Sequence, residues 1–516
     1  MAWGGRKYDA IVIGGDHNGL AAAACLARAG KRVLVLEPGD RLGGVATIGE
    51  IMPDYAVPTV AHLVEALPRG IERGLKLAKH GLRYAARDIP TVALDRDGRH
   101  LLMPRGRKDV DALAARSPAD AVAWHAFDAR MTAHLAVLAP LLLGDAVSLE
   151  SVLRGLVWRD AWRRADRLGD LMQLLPQSIG DLLDAEFDDP LLKGALAFDA
   201  VMGGVDGPYA SGTMLRFLHR RALLGLGRGR SIPVGGPAAV TDALAAAVAA
   251  QRGEIRTGVR VSRLLVEGAA IAGVETGDGN AIFAPLVVSS LDRRTTMLDL
   301  LGALHIETSL MRDLSGLPPR GSVAKVNLAL DGLPDFRGLA RGLHGARLLI
   351  APSLEQVDRV AATFGQHDLA PEPLMEITIP SAVDPALAPS GHHVMSVLVP
   401  YMPHDIEGGW PARRDEFMQR VLRTIAQYSP DFTDRLIAGD LLTPPDIETK
   451  FGLSGGWHRG GLGPADLLGL RKGGAGHATP VSGLWLCGQG SHPGDGVTGL
   501  PGCSAAETIV AEGRRR

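Results

Sequence analysis

The fold of this chain is decided by the stretch Asp9-Ala10-Ile11-Val12-Ile13-Gly14-Gly15-Asp16-His17-Asn18-Gly19. An apolar strand over Asp9–Ile13 enters a glycine turn, and the Ala-rich segment Leu20–Ala29 favours a helix that stops at Gly30. A second apolar strand, Val33–Leu36, ends in Glu37, 18 residues beyond Gly19. This strand–helix–strand pattern predicts a dinucleotide-binding unit, with phosphates at the turn and ribose hydroxyls on the acid.

One position departs from the G-x-G-x-x-G pattern, because Asp16 stands at its second glycine. A carboxylate facing a pyrophosphate in a dry site is costly. Either Asp16 turns away and caps the helix, a role that suits aspartate, or the site has lost affinity for its cofactor. We expect binding to be retained, because the strand and helix around the turn are intact. The predicted cofactor-binding residues here are Gly14, Gly15, Asp16, Gly19 and Glu37, followed by Arg41, Gly43 and Gly44, where paired glycines let the backbone approach the phosphates.

The other end of the chain carries a second glycine-rich turn. Leu486–Val497 follows a short apolar strand and leads into a helix predicted over Cys503–Val510. Dense glycines bring backbone N–H groups close to a ligand, and the helix adds its positive end. Two such ends of one chain typically converge on a flavin. The cofactor is therefore predicted to be FAD, with the candidate binding residues Gly488, Asp495, Gly496 and Val497.

Length and composition restrict the class of protein. A chain of 516 residues predicts two intimately built domains. A net charge of −2 gives no sign of nucleic-acid binding. The three cysteines show neither C-x-x-C nor zinc spacing, and no apolar signal region precedes Lys7, so a cytoplasmic protein with reduced thiols is expected.

No transmembrane segment is predicted, because Leu135–Leu143 is too short to span a bilayer. Residues Trp158–Leu183 alternate Arg-rich with Leu-rich faces. This stretch could contact a membrane surface or a partner, although an ordinary amphipathic helix over a core is the preferred interpretation.

The predicted fold class is α/β: a Rossmann-type FAD-binding domain, with a parallel sheet plus a β-meander, interleaved with an α+β substrate domain containing an antiparallel sheet. Residues 1–70, 231–300 and 476–516 are assigned to the FAD-binding domain, and 71–230 (mostly helical) and 301–475 to the substrate domain.

Individual segments of both domains can be placed. After the predicted helix Ala238–Ala250, Glu254–Arg256 is expected to join the parallel sheet, and Val261 to present its backbone to an adenine. The strands Val323–Leu330, Met375–Ile379 and Val394–Val399 are predicted to form the antiparallel floor of a substrate chamber, with a helix over Arg414–Tyr428 packed against it.

These motifs resemble those of the phytoene desaturase-like family of FAD-dependent oxidoreductases, of the amine-oxidase-type flavoprotein fold. Within it, the chain is most similar to the branch of the pyridine nucleotide-disulfide oxidoreductase domain-containing protein 2. The resemblance covers nearly the whole chain and rests on His17-Asn18-Gly19, Gly43-Gly44, Pro233–Val240, Val288–Asp292 and Gly488–Gly502. The chain departs from the family at Asp16 and Asp495, where glycine is usual, and at Gly39, where a basic residue is often found.

The resemblance implies a noncovalent flavin, with its adenosine near Glu37 and its isoalloxazine at the start of the C-terminal helix. Val497 would lie at the pyrimidine edge, where a positive helix end stabilises the charge gained on reduction. Asp495 would oppose reduction there unless it is offset, or would orient a substrate amine or hydroxyl. The equally favoured alternative is that Asp495 is an ordinary exposed aspartate in a turn.

The resemblance also implies a catalytic lysine. Lys325 lies in a strand similar to the one that places a lysine beside flavin N5 in amine oxidases. Alternation puts Val323, Lys325 and Asn327 on one face, and Ala324, Val326 and Leu328 on the core face. The alternative is a solvent-facing lysine on an edge strand.

Two histidines are further candidates for proton transfer, because imidazole gains and loses a proton near neutral pH. His492 lies within the C-terminal flavin segment, and His458 lies in a glycine-rich loop expected to border the chamber. Either histidine could instead hydrogen-bond backbone in a tight turn, and for His492 the structural role is preferred.

Three functions fit these patterns. The first is an FAD-dependent desaturase, dehydrogenase or oxidase that removes hydride from a C–H bond of an apolar small molecule to flavin N5 and passes electrons to oxygen or a quinone. The second is an FAD-dependent isomerase without net redox change, and the third is a non-catalytic interaction protein. We favour the first. The chain shows no second dinucleotide-binding unit, so a resident NAD(P) domain is not expected.

Overall fold

In a computed structural model, the structure describes residues 7–105, 109–143, 176–227, 229–315, 321, 323–456, 476–494 and 496–515. Two predicted site residues, His458 and Asp495, lie outside the described residues. Most of the amphipathic stretch Trp158–Leu183 lies outside them as well.

The described helices are α1 (His17–Arg28), α2 (Arg69–Gly74), α3 (Val110–Arg116), α4 (Pro118–Leu143), α5 (Ile179–Glu186), α6 (Pro190–Val201), α7 (Thr213–Leu226), α8 (Ala238–Ala250), α9 (Thr308–Ser315), α10 (Leu354–Gly365), α11 (Trp410–Ala426), α12 (Phe432–Arg435), α13 (Pro444–Phe451) and α14 (Leu500–Arg515).

The described strands are β1 (Ala10–Ile13), β2 (Val33–Leu36), β3 (Ile48–Met52), β4 (Tyr55–Pro58), β5 (Tyr84–Ala86), β6 (Thr91–Ala93), β7 (Leu101–Leu102), β8 (Ile232–Pro233), β9 (Glu254–Arg256), β10 (Val261–Glu267), β11 (Ala270–Thr276), β12 (Ala281–Phe283), β13 (Val287–Ser289), β14 (Val323–Leu330), β15 (Arg347–Ile350), β16 (Met375–Thr378), β17 (His393–Pro400), β18 (Leu436–Leu442) and β19 (Leu484–Leu486).

A parallel five-stranded sheet brings both ends of the chain together, in the order β19-β13-β1-β2-β9. The strands β1 and β2 are short apolar runs buried on both faces, as is usual in parallel sheets, whereas the edge strand β9 is partly exposed. Helices α1, α8 and α14 cover one face, and the three-stranded antiparallel meander β10-β11-β12 covers the other. The predicted Rossmann-type sheet and meander are confirmed, including the parallel pairing of β9 with β2.

A second, mostly antiparallel sheet of seven strands has the order β18-β14-β17-β16-β15-β6-β7. One face is apolar and packs against α11 through Phe417, Val421 and Ile425. The opposite face, called the inner face here, is directed towards α6 and the rest of the helical cluster. The three predicted strands and the helix packed on their sheet are thus confirmed, with the helix on the side away from Lys325.

Helices α3 to α7 share one apolar core next to the inner face of the seven-stranded sheet. Their core is built around contacts among Trp124, Phe127 and Phe187. No helix in the described ranges combines the length and the apolar character needed to cross a membrane.

Candidate functional site

The glycine turn lies where β1 ends and α1 begins. Gly14 has φ +97°, and a Cβ added there would lie 2.1 Å from Ser290 Oγ. A Cβ at Gly19 would lie 2.1 Å from the carbonyl oxygen of Gly14. Both positions therefore need glycine, because an added side chain would meet the Ser290 side chain at Gly14 and the backbone of the turn itself at Gly19.

Asp16 caps helix α1. Its carboxylate oxygen Oδ1 accepts hydrogen bonds from the backbone N–H of Asn18 (2.9 Å) and of Gly19 (2.8 Å), in an extended N-cap conformation. The helix consequently begins at His17, three residues before the predicted start at Leu20. Of the two readings of Asp16, the structure thus shows the capping one. Its effect on affinity for the cofactor stays a prediction.

Glu37 is fixed at the end of β2. Its Oε2 accepts a hydrogen bond from the Gly15 N–H at 2.7 Å, and its Oε1 accepts one from Gly39 N–H at 2.9 Å. Burial raises the pKa of Glu37 above its usual value, although these two backbone donors act in the opposite direction. The carbonyl oxygen of Glu37 accepts from the N–H of Val259, which brings the start of β10, with buried Val261, to the same end of the sheet.

The second glycine pair lies against the first turn. The N–H of Gly43 donates to the carbonyl oxygen of Gly15 at 2.8 Å, and a Cβ at Gly44 would lie 3.1 Å from the Cβ of Asp16. Gly43 and Gly44 have φ +121° and +55°. Arg41, just before them, is exposed. Two stretches of backbone rich in glycine thus meet where phosphates are predicted.

The C-terminal segment closes this region from the other side. A Cβ at Gly488 would lie 2.2 Å from the carbonyl oxygen of Ser290. The Nε2 of His17 lies 3.1 Å from the carbonyl oxygen of Gly496, and Val497 is buried in the core shared with α1. The predicted convergence of the two chain ends is therefore confirmed.

Several buried polar atoms in and beside these two segments have no hydrogen-bond partner in the part of the chain that the structure describes. They are His17 Nδ1, both amide atoms of Asn18, Ser290 Oγ and both amide atoms of Gln489. Buried polar groups are normally paired. The glycine cradle and these unpaired atoms therefore fit a bound cofactor that is itself rich in polar groups.

Lys325 is fully buried on the inner face of the seven-stranded sheet. Its strand, β14, lies between β17 and β18, so the alternative of a solvent-facing lysine on an edge strand is wrong. Among the described residues, Nζ has no hydrogen-bond partner. Burial holds the pKa of Lys325 well below its usual value, opposed only by the charge of Glu376. An amine in this state is suited to accept a proton.

Two buried histidines lie at or near the C-terminal segment. His492 is 3% exposed, so it is enclosed by the protein. His219 on α7 was not predicted as a site residue, and it hydrogen-bonds the backbone of Pro493, next to His492. Burial lowers the pKa of His219 to about 4, so this imidazole is neutral at neutral pH.

A group of charged side chains at and around the inner face, most of them buried, was also missed from the sequence. We call it the polar network, and its members are His62, Glu65, Asp199, Arg220, Arg230, Arg347 and Glu376. The one available signal was a charged residue inside an apolar strand, as in Met375-Glu376-Ile377.

The polar network joins the helices to the sheet and reaches the flavin segment. Arg347 donates to Glu376 and, at 2.7 Å, to Asp199 on α6. Burial acts to raise the pKa of Asp199, but the charges of Arg347, Arg230 and Arg220 outweigh it, and the pKa lies below its usual value. At the other end, a Cβ at Gly496 would lie 3.8 Å from Glu65 Oε2.

A glycine cradle at the carboxyl ends of parallel strands is typical of proteins that bind a dinucleotide cofactor such as FAD. Residues 19–493 match the model of the flavin containing amine oxidoreductase family. The chain belongs to this family, and its cofactor is FAD.

Relatives and solved structures agree with this assignment. The chain is 31% identical to the mouse pyridine nucleotide-disulfide oxidoreductase domain-containing protein 2, over 98% of this chain and 94% of that protein. It is 27% identical to a neurosporene-forming phytoene desaturase of Cereibacter sphaeroides, over 97% and 94% of the two chains.

Two solved structures share the fold at low identity. An oxidoreductase from Methanosarcina mazei superposes with a TM-score of 0.63 at 18% identity, covering 97% of this chain and 99% of that one. A putrescine oxidase bound to putrescine gives a TM-score of 0.62 at 15% identity, covering 99% of each chain. The predicted family resemblance and the predicted fold class are confirmed.

Proposed function

We propose that this FAD-dependent oxidoreductase is a dehydrogenase, desaturase or oxidase that removes hydride from a C–H bond of an apolar substrate, with Lys325 as the group that takes up the accompanying proton. The observation that carries the proposal is the Lys325 amine, fully buried and without a hydrogen-bond partner among the described residues. A buried donor left unpaired costs about 1–3 kcal/mol, and a functional role for the amine would account for this cost.

The chain's own residues divide the task. Gly14, Gly15, Gly43 and Gly44 would hold the pyrophosphate, and Glu37 the ribose. When bound, FAD supplies the acceptor for the hydride. Lys325, uncharged because it is buried, is positioned to hold the proton that leaves the substrate, and the closed surroundings exclude water.

The apolar character of the substrate is supported by one relative, which is named as a phytoene desaturase. The electron acceptor is proposed to be oxygen or a quinone.

The experiment begins with the absorption spectrum of the purified, desalted protein and the release of its cofactor on heating. Bands of oxidised flavin would show that Asp16 is tolerated, and anaerobic mixing with candidate substrates then follows bleaching of those bands. Bleaching without oxygen supports the oxidoreductase. Conversion of a substrate without bleaching points to an isomerase, and a colourless protein that FAD cannot reconstitute points to an interaction protein.

A further inference from the structure

His62 lies between two hydrogen-bond acceptors. Its Nδ1 is 3.2 Å from the carbonyl oxygen of Ser396, and its Nε2 is 2.9 Å from Glu376 Oε1. The side chain is 1% exposed, so bulk solvent does not reach it. A neutral imidazole donates through only one of its nitrogens. A neutral imidazole and an ionised carboxylate could therefore make only one of the two contacts as a hydrogen bond. Making both requires one additional proton, which is carried by His62 or shared between His62 and Glu376.

Both oxygens of Glu376 are engaged. Oε1 contacts His62, and Oε2 accepts a hydrogen bond from Arg347 Nε at 2.5 Å. The Glu376 side chain is fully buried. Its charge is thus held by a guanidinium on one side and by a proton-bearing imidazole on the other, and such charge-assisted bonds are the strong ones.

Lys325 lies in the same row of the sheet as Glu376. Leu398 on β17 pairs with Lys325 on β14 and also with Glu376 on β16. Residues directly opposite one another share a face, so both side chains project from the inner face. Their backbones are two strand spacings apart, about 10 Å. Because both side chains are long, the amine and the carboxylate can lie closer together than the backbones do.

The other described neighbours of Lys325 offer no buried carboxylate. Leu442 lies opposite it on β18, and Asn327 and Ser396, beside it on the inner face, are uncharged. Asp440 lies opposite Asn327 on β18 but is exposed. Glu376 is accordingly the buried carboxylate of this row among the described residues.

We propose that His62 is a positioning residue that keeps Lys325 uncharged, because His62 and Arg347 together engage Glu376 and so prevent it from pairing with the lysine. The inference rests on the proposed function, in which Lys325 handles the proton. When the substrate C–H bond breaks, two electrons leave as hydride to the flavin, and the proton released from the substrate goes to the Lys325 amine. An ammonium group could not accept that proton.

The test uses the FAD-loaded protein and needs no substrate. The flavin absorption spectrum and midpoint potential are measured from pH 5 to pH 10 for the wild type and for K325M, H62Q and H62Q/E376Q. The inflection that is lost in K325M belongs to Lys325. In H62Q, Glu376 is free to attract the lysine, and the inflection should move up by about one pH unit. In H62Q/E376Q it should return to the wild-type position or below.

The outcomes separate the two proposals. If K325M leaves every inflection in place, Lys325 does not lie beside the flavin and the proposed function fails. Suppose that K325M does remove an inflection. If H62Q does not raise the pH of that inflection, or if H62Q/E376Q raises it as much as H62Q does, the role of His62 is refuted and the proposed function stands. A general loss of packing would not be reversed by the second substitution.

A second measurement covers the case in which H62Q does not retain FAD. Ring nitrogen-15 spectra of histidine-labelled protein report doubly protonated imidazoles directly. They are recorded in an H404Q background, because His404 also contacts two carboxylates, Asp405 and Glu448. An imidazolium or shared-proton signal that persists at pH 8 is expected, and its absence would overturn the inference.

Discussion

Asp16 stands where a glycine would let phosphates approach the backbone most closely. Its carboxylate instead binds two N–H groups of the first turn of α1, donors that the helix itself leaves unsatisfied. A negative charge at this position also interacts favourably with the helix dipole. A cap of this kind stabilises a helix by about 1 kcal/mol. The departure from the glycine pattern therefore has a local structural reason.

Gly15→Glu is expected to abolish FAD binding. A Cβ at this position would lie 2.5 Å from Leu42 Cδ2 and 3.2 Å from Glu37 Oε2, and the new carboxylate would face the predicted pyrophosphate. The flavin absorbance per protein should fall below about a tenth of the wild-type value. Gly70→Glu is the control, because Gly70 is exposed with no atom within 4 Å of an added Cβ. A G15E protein that purifies fully yellow would place the pyrophosphate elsewhere.

Lys325→Met should stabilise the folded protein at neutral pH by about 1–3 kcal/mol, because it removes an unpaired buried donor. The pKa of Lys325 lies below its unfolded value of 10.5, so below pH 10.5 the unfolded state binds more protons and wild-type stability rises with pH. The difference in the free energy of unfolding between K325M and the wild type should thus become smaller as the pH approaches 10.5. Urea unfolding at pH 7 and pH 10 measures it.

The control for this prediction is Lys79→Met, at an exposed lysine. It should change stability little and equally at both pH values. A K325M protein with the same difference at pH 7 and pH 10 would show that Lys325 is charged in the folded state.

Among the elements, the contact of α1 with α14 holds the cofactor site together. A Cβ at Gly502 would lie 2.0 Å from the carbonyl oxygen of Asn18 and 2.9 Å from the N–H nitrogen of Ala22. The two helices thus touch backbone to backbone, and the contact depends on one glycine. The unpaired amide of Asn18 lies at this junction.

Gly502→Leu should therefore separate α14 from α1. Overpacking of this kind costs about 1–3 kcal/mol, and FAD should be released at a lower temperature. Gly513→Leu is the matched control on the same helix, where an added Cβ has no neighbour within 4 Å. Thermal release of flavin fluorescence measures both. Equal release temperatures for the two variants would contradict the close packing.

Arg347→Met tests the polar network as a link between α6 and the sheet. It leaves the carboxylates of Glu376 and Asp199 without their shared guanidinium, and breaking a buried pair in this way costs about 3–5 kcal/mol. Arg263→Met is the control, at an exposed pair with Glu275, where a loss of at most about 1 kcal/mol is expected. Similar losses in the free energy of unfolding for both variants would show that the ion pairs of Arg347 stabilise the fold no more than an exposed pair does.

The elements themselves could be predicted from local pattern. The helix Ala238–Ala250 and the strands Val33–Leu36 and Val323–Leu330 have the predicted bounds, because their periodicity and their turn residues are local properties. The polar network could not be predicted. Its members come from segments far apart in sequence, and a buried charge cannot be told from an exposed one until the partner is known.

At the level of the whole molecule, the cofactor site is assembled from both ends of the chain. Strand β19 joins the parallel sheet beside β13, and α14 covers the same face of this sheet as α1. Gly488, Gly496 and Val497 all lie in this last part of the chain. The site is therefore incomplete without it.

A chain ending after residue 475 should not retain FAD, although it keeps the entire first glycine turn. A chain ending after Gly513 keeps every residue assigned to the site and should bind FAD normally. The flavin content of the two proteins after gel filtration gives the comparison. Full retention by the shorter chain would show that the C-terminal segment does not contribute to binding.

The meeting of α1 with α14 has a consequence for biosynthesis. A ribosome synthesises residues in order, so the first glycine turn emerges long before α14 has been made. The growing polypeptide cannot enclose FAD until α14 has left the exit tunnel. A bound flavin therefore shows that translation has passed α14, and chains terminated before this helix are expected to stay colourless.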